Sequence, residues 1–148
     1  MSFPAYPRLK HAPHEYFMGG KIYIRREPQA VGVTWQGGIL KERAVAEASL
    51  IGMHPKGKSA YINRVVVQPD ELRGHGIGSK IFGLLVDELR KQDYGRIIVE
   101  PGGYNVPREK QVHFYERFGF TCIKDDDGFE HYELLLGGND GLETTPQV

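Results

Sequence analysis

The stretch Leu72-Arg73-Gly74-His75-Gly76-Ile77-Gly78-Ser79-Lys80 constrains this chain more than any other part of it. Upstream, Ser59–Val67 (SAYINRVVV) reads as a strand whose end, Val65-Val66-Val67, looks buried on both faces. Downstream, Ile77, Ile81, Leu84, Leu85 and Leu89 recur at helical spacing, and Phe82 and Val86 widen the stripe, which predicts a helix from about Gly76 to Gln92. A helix N-terminus carries free backbone N–H groups and the positive end of the helix dipole. Glycines there permit positive φ and close approach of a ligand to the backbone. The combination suits an anion, typically phosphate, and Arg73 would add charge-assisted hydrogen bonds. Read alone, the same glycines also fit an ordinary turn.

The remaining periodicity frames a mixed α/β sheet. Strands are predicted at Lys21–Arg25, Ala30–Trp35, Ala44–Met53, Arg96–Glu100, Phe120–Lys124 and Phe129–Leu136, with turns at Gly37-Gly38, HPKGK and DDDG. Pro107–Phe118 reads as a second helix, with proline at its start and Gly119 just past its end. Residues 1–19, with Pro4, Pro7 and Pro13, read as an irregular arm, and residues 137–148 as a frayed polar tail. No repeat or long linker divides the 148 residues, so one domain is expected.

Composition excludes some classes. Nineteen Lys and Arg balance nineteen Asp and Glu, which argues against bulk-charge binding to nucleic acid or an anionic membrane. No run of about 18 apolar residues suggests a membrane span, and the N-terminal residues do not read as a signal peptide. The expectation is a cytoplasmic protein. Cys122 is a single cysteine and reads as a small core residue. His54, His113 and His131 lack ligand spacing, so no metal is assigned.

Three phosphate motifs compete for the glycine stretch. A P-loop fails because Lys80 follows Ser79 rather than glycine, and Ile81 stands where a hydroxyl is needed. A dinucleotide fingerprint fits Gly74 and Gly76, but Ser79 replaces the third glycine and Gln68–Arg73 separates it from the strand. Glu100, ending the next strand, suits a ribose-binding acid, so a Rossmann-like domain stays as an alternative. The third pattern, R/Q-x-x-G-x-G/A, is met by Arg73-Gly74-His75-Gly76-Ile77-Gly78. Through YINRVVVQPDELRGHGIGSKIFGLLVDEL the chain resembles the acyl-coenzyme A motif of the GNAT superfamily of N-acetyltransferases. The later His113-Phe114-Tyr115-Glu116-Arg117-Phe118-Gly119-Phe120 is similar to that family's "FYEKLGF". The resemblance spans roughly residues 44–136.

The resemblance implies a mostly antiparallel sheet, splayed at the cofactor site and flanked by helices. It implies acetyl-CoA as co-substrate and an amine acceptor, either a small molecule or a protein amine. Amides from Arg73, Gly74, His75, Gly76, Ile77, Gly78 and Ser79 would cradle the pyrophosphate, and the edge of Val65, Val66 and Val67 would pair with the pantetheine arm. An amide near Val66 or Val67 would face the oxyanion. Tyr115 would be the general acid, although its place between Phe114 and Phe118 also suits simple packing.

Glu100 is the first candidate base and Glu47 the second, with water as a third possibility; Glu100 could equally be a solvated strand end. Many family members carry Asn seven residues before the tyrosine, where this chain has Arg108. Asn105, five residues after Glu100, or Arg108 itself would take that cofactor contact. The family's paired helices after the first strand are missing or reduced here, since residues 25–30 are too few for them. A non-catalytic acyl-CoA-binding module stays open, as do the acceptor and a homodimeric state.

Overall fold

The computed structural model describes residues 12–37, 43–68, 73–103 and 106–137. Gly38, Asn105 and the tail from residue 138 lie outside them. Among the described residues, eight strands form one sheet: β1 (Glu15–Phe17), β2 (Gly20–Glu27), β3 (Ala30–Gln36), β4 (Arg43–His54), β5 (Gly57–Gln68), β6 (Tyr94–Val99), β7 (Thr121–Lys124) and β8 (Glu130–Leu135). Helix α1 (Ile77–Lys91) joins β5 to β6, and α2 (Arg108–Arg117) follows β6. The strand order is β1-β2-β3-β4-β5-β6-β8-β7, and among the described pairings only β5–β6 is parallel. A doubly wound sheet needs successive parallel strands, so the Rossmann-like alternative is set aside.

Alternation in β3 and β4 decides where α1 lies. Ala44, Ala46 and Ala48 are buried, and they stand opposite Trp35, Val33 and Val31. Three alanines in a row on one face leave a low surface, and α1 lies across β3 and β4 there. The helix buries Ile77, Ile81, Phe82, Leu85, Val86 and Leu89 against it. Its C-terminal half is also fixed electrostatically. Glu88 is buried, and Arg26 of β2 reaches it through two hydrogen bonds of 2.7 and 3.1 Å, while Gln92 donates a third at 2.8 Å.

The parallel pair is short. Lys58–Tyr61 of β5 meets Tyr94–Ile98 of β6, and the strands then part. At the closed end, a Cβ on Gly57 would collide with the Asp93 carbonyl, and one on Gly95 with the Lys56 carbonyl. Only glycines allow the two chains to touch there. Beyond Tyr61, β5 runs on to Gln68 bonded to β4 alone among the described strands. Its pairing with β4 slips by one residue at Asn63, a bulge that adds local twist where the strands separate.

Three expectations are corrected. Part of the N-terminal arm is a strand: Glu15–Phe17 pairs with β2, held by a 2.7 Å hydrogen bond from Trp35 Nε1 to the Phe17 carbonyl. Val65–Val67 are half-buried rather than buried on both faces, because β5 has lost its neighbour on one edge. Cys122 is exposed, since β7 is one of the two edge strands among the described residues.

The Arg26 guanidinium, through its hydrogen bonds, holds the Glu88 carboxyl below the usual glutamate range, against the opposing effect of burial. A lowered folded value means the pair stabilises fully above the unfolded glutamate pKa of about 4.3 and ceases to as pH falls through the folded value. Arg26→Ala is expected to cost about 2 kcal/mol at pH 7 by removing the guanidinium partner of a buried carboxylate. Urea unfolding should show that difference shrinking as the pH is taken below 4; a pH-independent difference would mean lost packing alone.

Candidate functional site

The parting of β5 from β6 opens a cavity of about 440 Å³. One wall is Val65, Val66 and Val67, the edge of β5 that no β6 residue pairs. The floor is the chain entering α1, through Arg73, Gly74, Gly76, Gly78 and Ser79. The far wall is Val106 and one side of α2, with Lys110, Gln111, Phe114, Tyr115 and Arg117.

Local backbone chemistry explains the floor. Gly74 has φ +87° and Gly76 φ +85°, in the left-handed region where a side chain is strained. A Cβ at either would meet nothing within 4 Å, so these glycines serve conformation and leave open space above the backbone. Gly76 is the N-cap of α1, no side chain caps the helix, and no acidic residue occupies its first turn. The positive helix end therefore faces the cavity, with Arg73, Lys110 and Arg117 as cationic lining and no carboxylate among the lining residues. The arrangement suits a polyanion with an extended apolar arm.

Two residues of the expected cradle do not line this cavity. His75 is exposed, and the Ile77 side chain is buried in the core, 1% exposed. Tyr115 lines it while 5% exposed, its ring packed edge-on against Phe82 at 5.5 Å, Phe114 at 5.2 Å and Phe120 at 5.5 Å. Packing and position at the cavity wall are thus compatible for this residue.

The candidate bases lie elsewhere. Glu100 is exposed and accepts a 3.2 Å hydrogen bond from the Tyr61 hydroxyl. It lines a second opening of about 460 Å³, with Pro101, Arg108, Gly128, Phe129 and Glu130. Arg108 lies in this opening too, 3.5 Å from Glu130, and does not reach the glycine floor. Glu47 lies on the opposite sheet face from Ala46 and Ala48, bonded to Arg64 at 2.8 Å and Arg25 at 3.3 Å. Asn105 lies outside the described residues.

Sequence reasoning missed Val106, Lys110, Gln111, Phe114 and Arg117. A helical projection of 110–117 places the last four with Tyr115 on one side of α2, a signal that was present. Among the described residues, no group of three or more His, Cys, Asp or Glu gathers at metal-binding distance. No described helix is long and apolar enough to cross a membrane.

Residues 3–120 match the model of the acetyltransferase (GNAT) family. The fold is similar to that of the ribosomal-protein-S18-alanine N-acetyltransferase from Escherichia coli, at 20% identity over 82% of this chain and 77% of that one, with a TM-score of 0.56. It is similar also to YhbS, a GNAT family N-acetyltransferase from Escherichia coli solved in complex with CoA, at 11% identity over 90% of both chains, with a TM-score of 0.62. No curated protein matches the sequence.

Gly76→Glu would place a carboxylate and a strained backbone at the helix end. It is expected to weaken CoA binding about 100-fold or more by calorimetry, whereas Gly76→Ala, with strain alone, should lose about tenfold. Affinity within threefold of the parent for Gly76→Glu would mean that the phosphates bind elsewhere.

Proposed function

The chain belongs to the GNAT family of acetyltransferases, and from that premise we propose that it transfers the acetyl group of acetyl-CoA to a primary amine by direct attack in a ternary complex. The observation that carries this reading is the single cavity bounded by an unpaired strand edge, an uncapped glycine-entered helix end and Tyr115. Each wall meets a different part of one ligand. The floor and the cations Arg73, Lys110 and Arg117 take phosphates; the β5 edge takes an extended amide-bearing arm as an added strand.

In the reaction the amine nitrogen forms a bond to the thioester carbonyl carbon as the carbon–sulfur bond breaks. A backbone N–H near Val66 or Val67 donates to the oxygen where negative charge develops. The Tyr115 hydroxyl gives a proton to the departing sulfur. Its ring is held by Phe82, Phe114 and Phe120, so its orientation is set before substrates arrive. The amine approaches through the second opening, where Glu100 takes its proton by way of water, since that carboxylate does not line the donor cavity.

The separation of Glu100 from the donor cavity also favours a second reading, a module that binds acyl-CoA without turnover. Thiol release from acetyl-CoA with a panel of small amines and peptides decides between them. Turnover of an amine with its mass increased by one acetyl group supports the enzyme; CoA binding with no turnover of any amine supports the module. In an active enzyme, Tyr115→Phe is expected to slow turnover 10- to 10⁴-fold with CoA affinity nearly kept. Unchanged turnover would remove Tyr115 from the acid role.

A further inference from the structure

Between β6 and α2, residues 100–103 and 106 form a partition between the two openings, and the Gln111 side chain bonds to both described parts of it. The Gln111 Oε1 accepts from the Gly102 N–H at 2.9 Å, and its Nε2 donates to the Gly103 carbonyl at 2.9 Å and to the Val106 carbonyl at 3.0 Å. Both amide protons and the amide oxygen are used, which also fixes which end of the amide is nitrogen. Beyond this partition's start, Glu100 and Pro101 line the second opening; at its far end, Val106 lines the donor cavity. Gly102 and Gly103 bring no side chains, and Gln111 holds both through their backbone.

We propose that Gln111 is a positioning residue that sets the partition between donor and acceptor openings relative to Tyr115. This rests on the acetyltransferase reading. Gln111 and Tyr115 are one helical turn apart on the same side of α2, and both line the donor cavity. A single rigid turn of helix thus carries the tyrosine at one end and the clamp on the Glu100-bearing chain at the other. The side-chain chemistry is specific. Gln111→Glu keeps the acceptor for Gly102 but sets a carboxylate oxygen against two carbonyls. Gln111→Ala removes all three bonds.

The test measures both variants beside the parent for melting temperature, CoA affinity by calorimetry, exchange of the Gly102 amide and steady-state turnover. The melting temperature is expected to fall by less than about 10 °C, because the three bonds are at most part-buried. Exchange of the Gly102 amide should accelerate at least about tenfold in Gln111→Ala and less in Gln111→Glu, which retains its acceptor. CoA affinity should fall about 3- to 10-fold and kcat about 10- to 100-fold in both, the scale of a misplaced reacting group. CoA affinity and kcat within twofold of the parent would overturn the proposal, as would losses that track a drop of 10 °C or more in melting temperature. If the parent binds CoA but acetylates no amine, the catalytic reading fails; exchange and CoA affinity then still decide the clamp.

Discussion

The parting of β5 from β6 is the constraint on which the rest of the molecule depends. Two glycines let the parallel strands touch at Gly57 and Gly95, and beyond Tyr61 the strands separate. A parallel connection needs a crossover, and α1 supplies it. The same separation frees one edge of β5 and brings the start of α1 beside that edge. A backbone edge seeking a strand and a helix end seeking an anion therefore face one volume. Neither feature requires an unusual side chain; both follow from where two strands cease to pair.

A cavity of this kind needs a fixed floor. The three alanines of β4 set how closely α1 approaches the sheet, and the Arg26–Glu88 pair fixes its far half. Near its first turn, Lys80 pairs with Glu15 of β1 at 2.6 Å and lies over the Phe17 ring. The short first strand thus holds the helix close to the end that meets the ligand. On the other side, the aromatic cluster of Phe82, Phe114, Phe118 and Phe120 ties α2 to α1 and carries Tyr115 with it.

The sequence made the donor side legible because its signals are local. Val65-Val66-Val67, the alternating glycines and the stripe from Ile77 to Leu89 are consecutive, and strand, turn and helix each announce themselves by period. Ala44–Met53 was readable as a strand despite its alanines because it lacks helix caps, and the structure extends it to Arg43–His54. What stayed hidden depends on partners distant in sequence. Glu15–Phe17 is too short for a pattern and becomes a strand through Lys21 and Trp35. Cys122 is exposed because β7 is an edge strand of the described sheet, which composition cannot show. The assignment of Glu100 and Arg108 to a second opening required knowing where β8 returns, beside β6.

A structure of the protein with acetyl-CoA bound decides whether one cavity serves the whole donor. The pyrophosphate oxygens should lie within hydrogen-bond distance of the amides between Arg73 and Ser79, the pantetheine arm should run beside Val65–Val67, and the thioester sulfur should lie within reach of the Tyr115 hydroxyl. A donor seated instead in the opening lined by Glu100 and Phe129, or a pyrophosphate away from the end of α1, would contradict this arrangement.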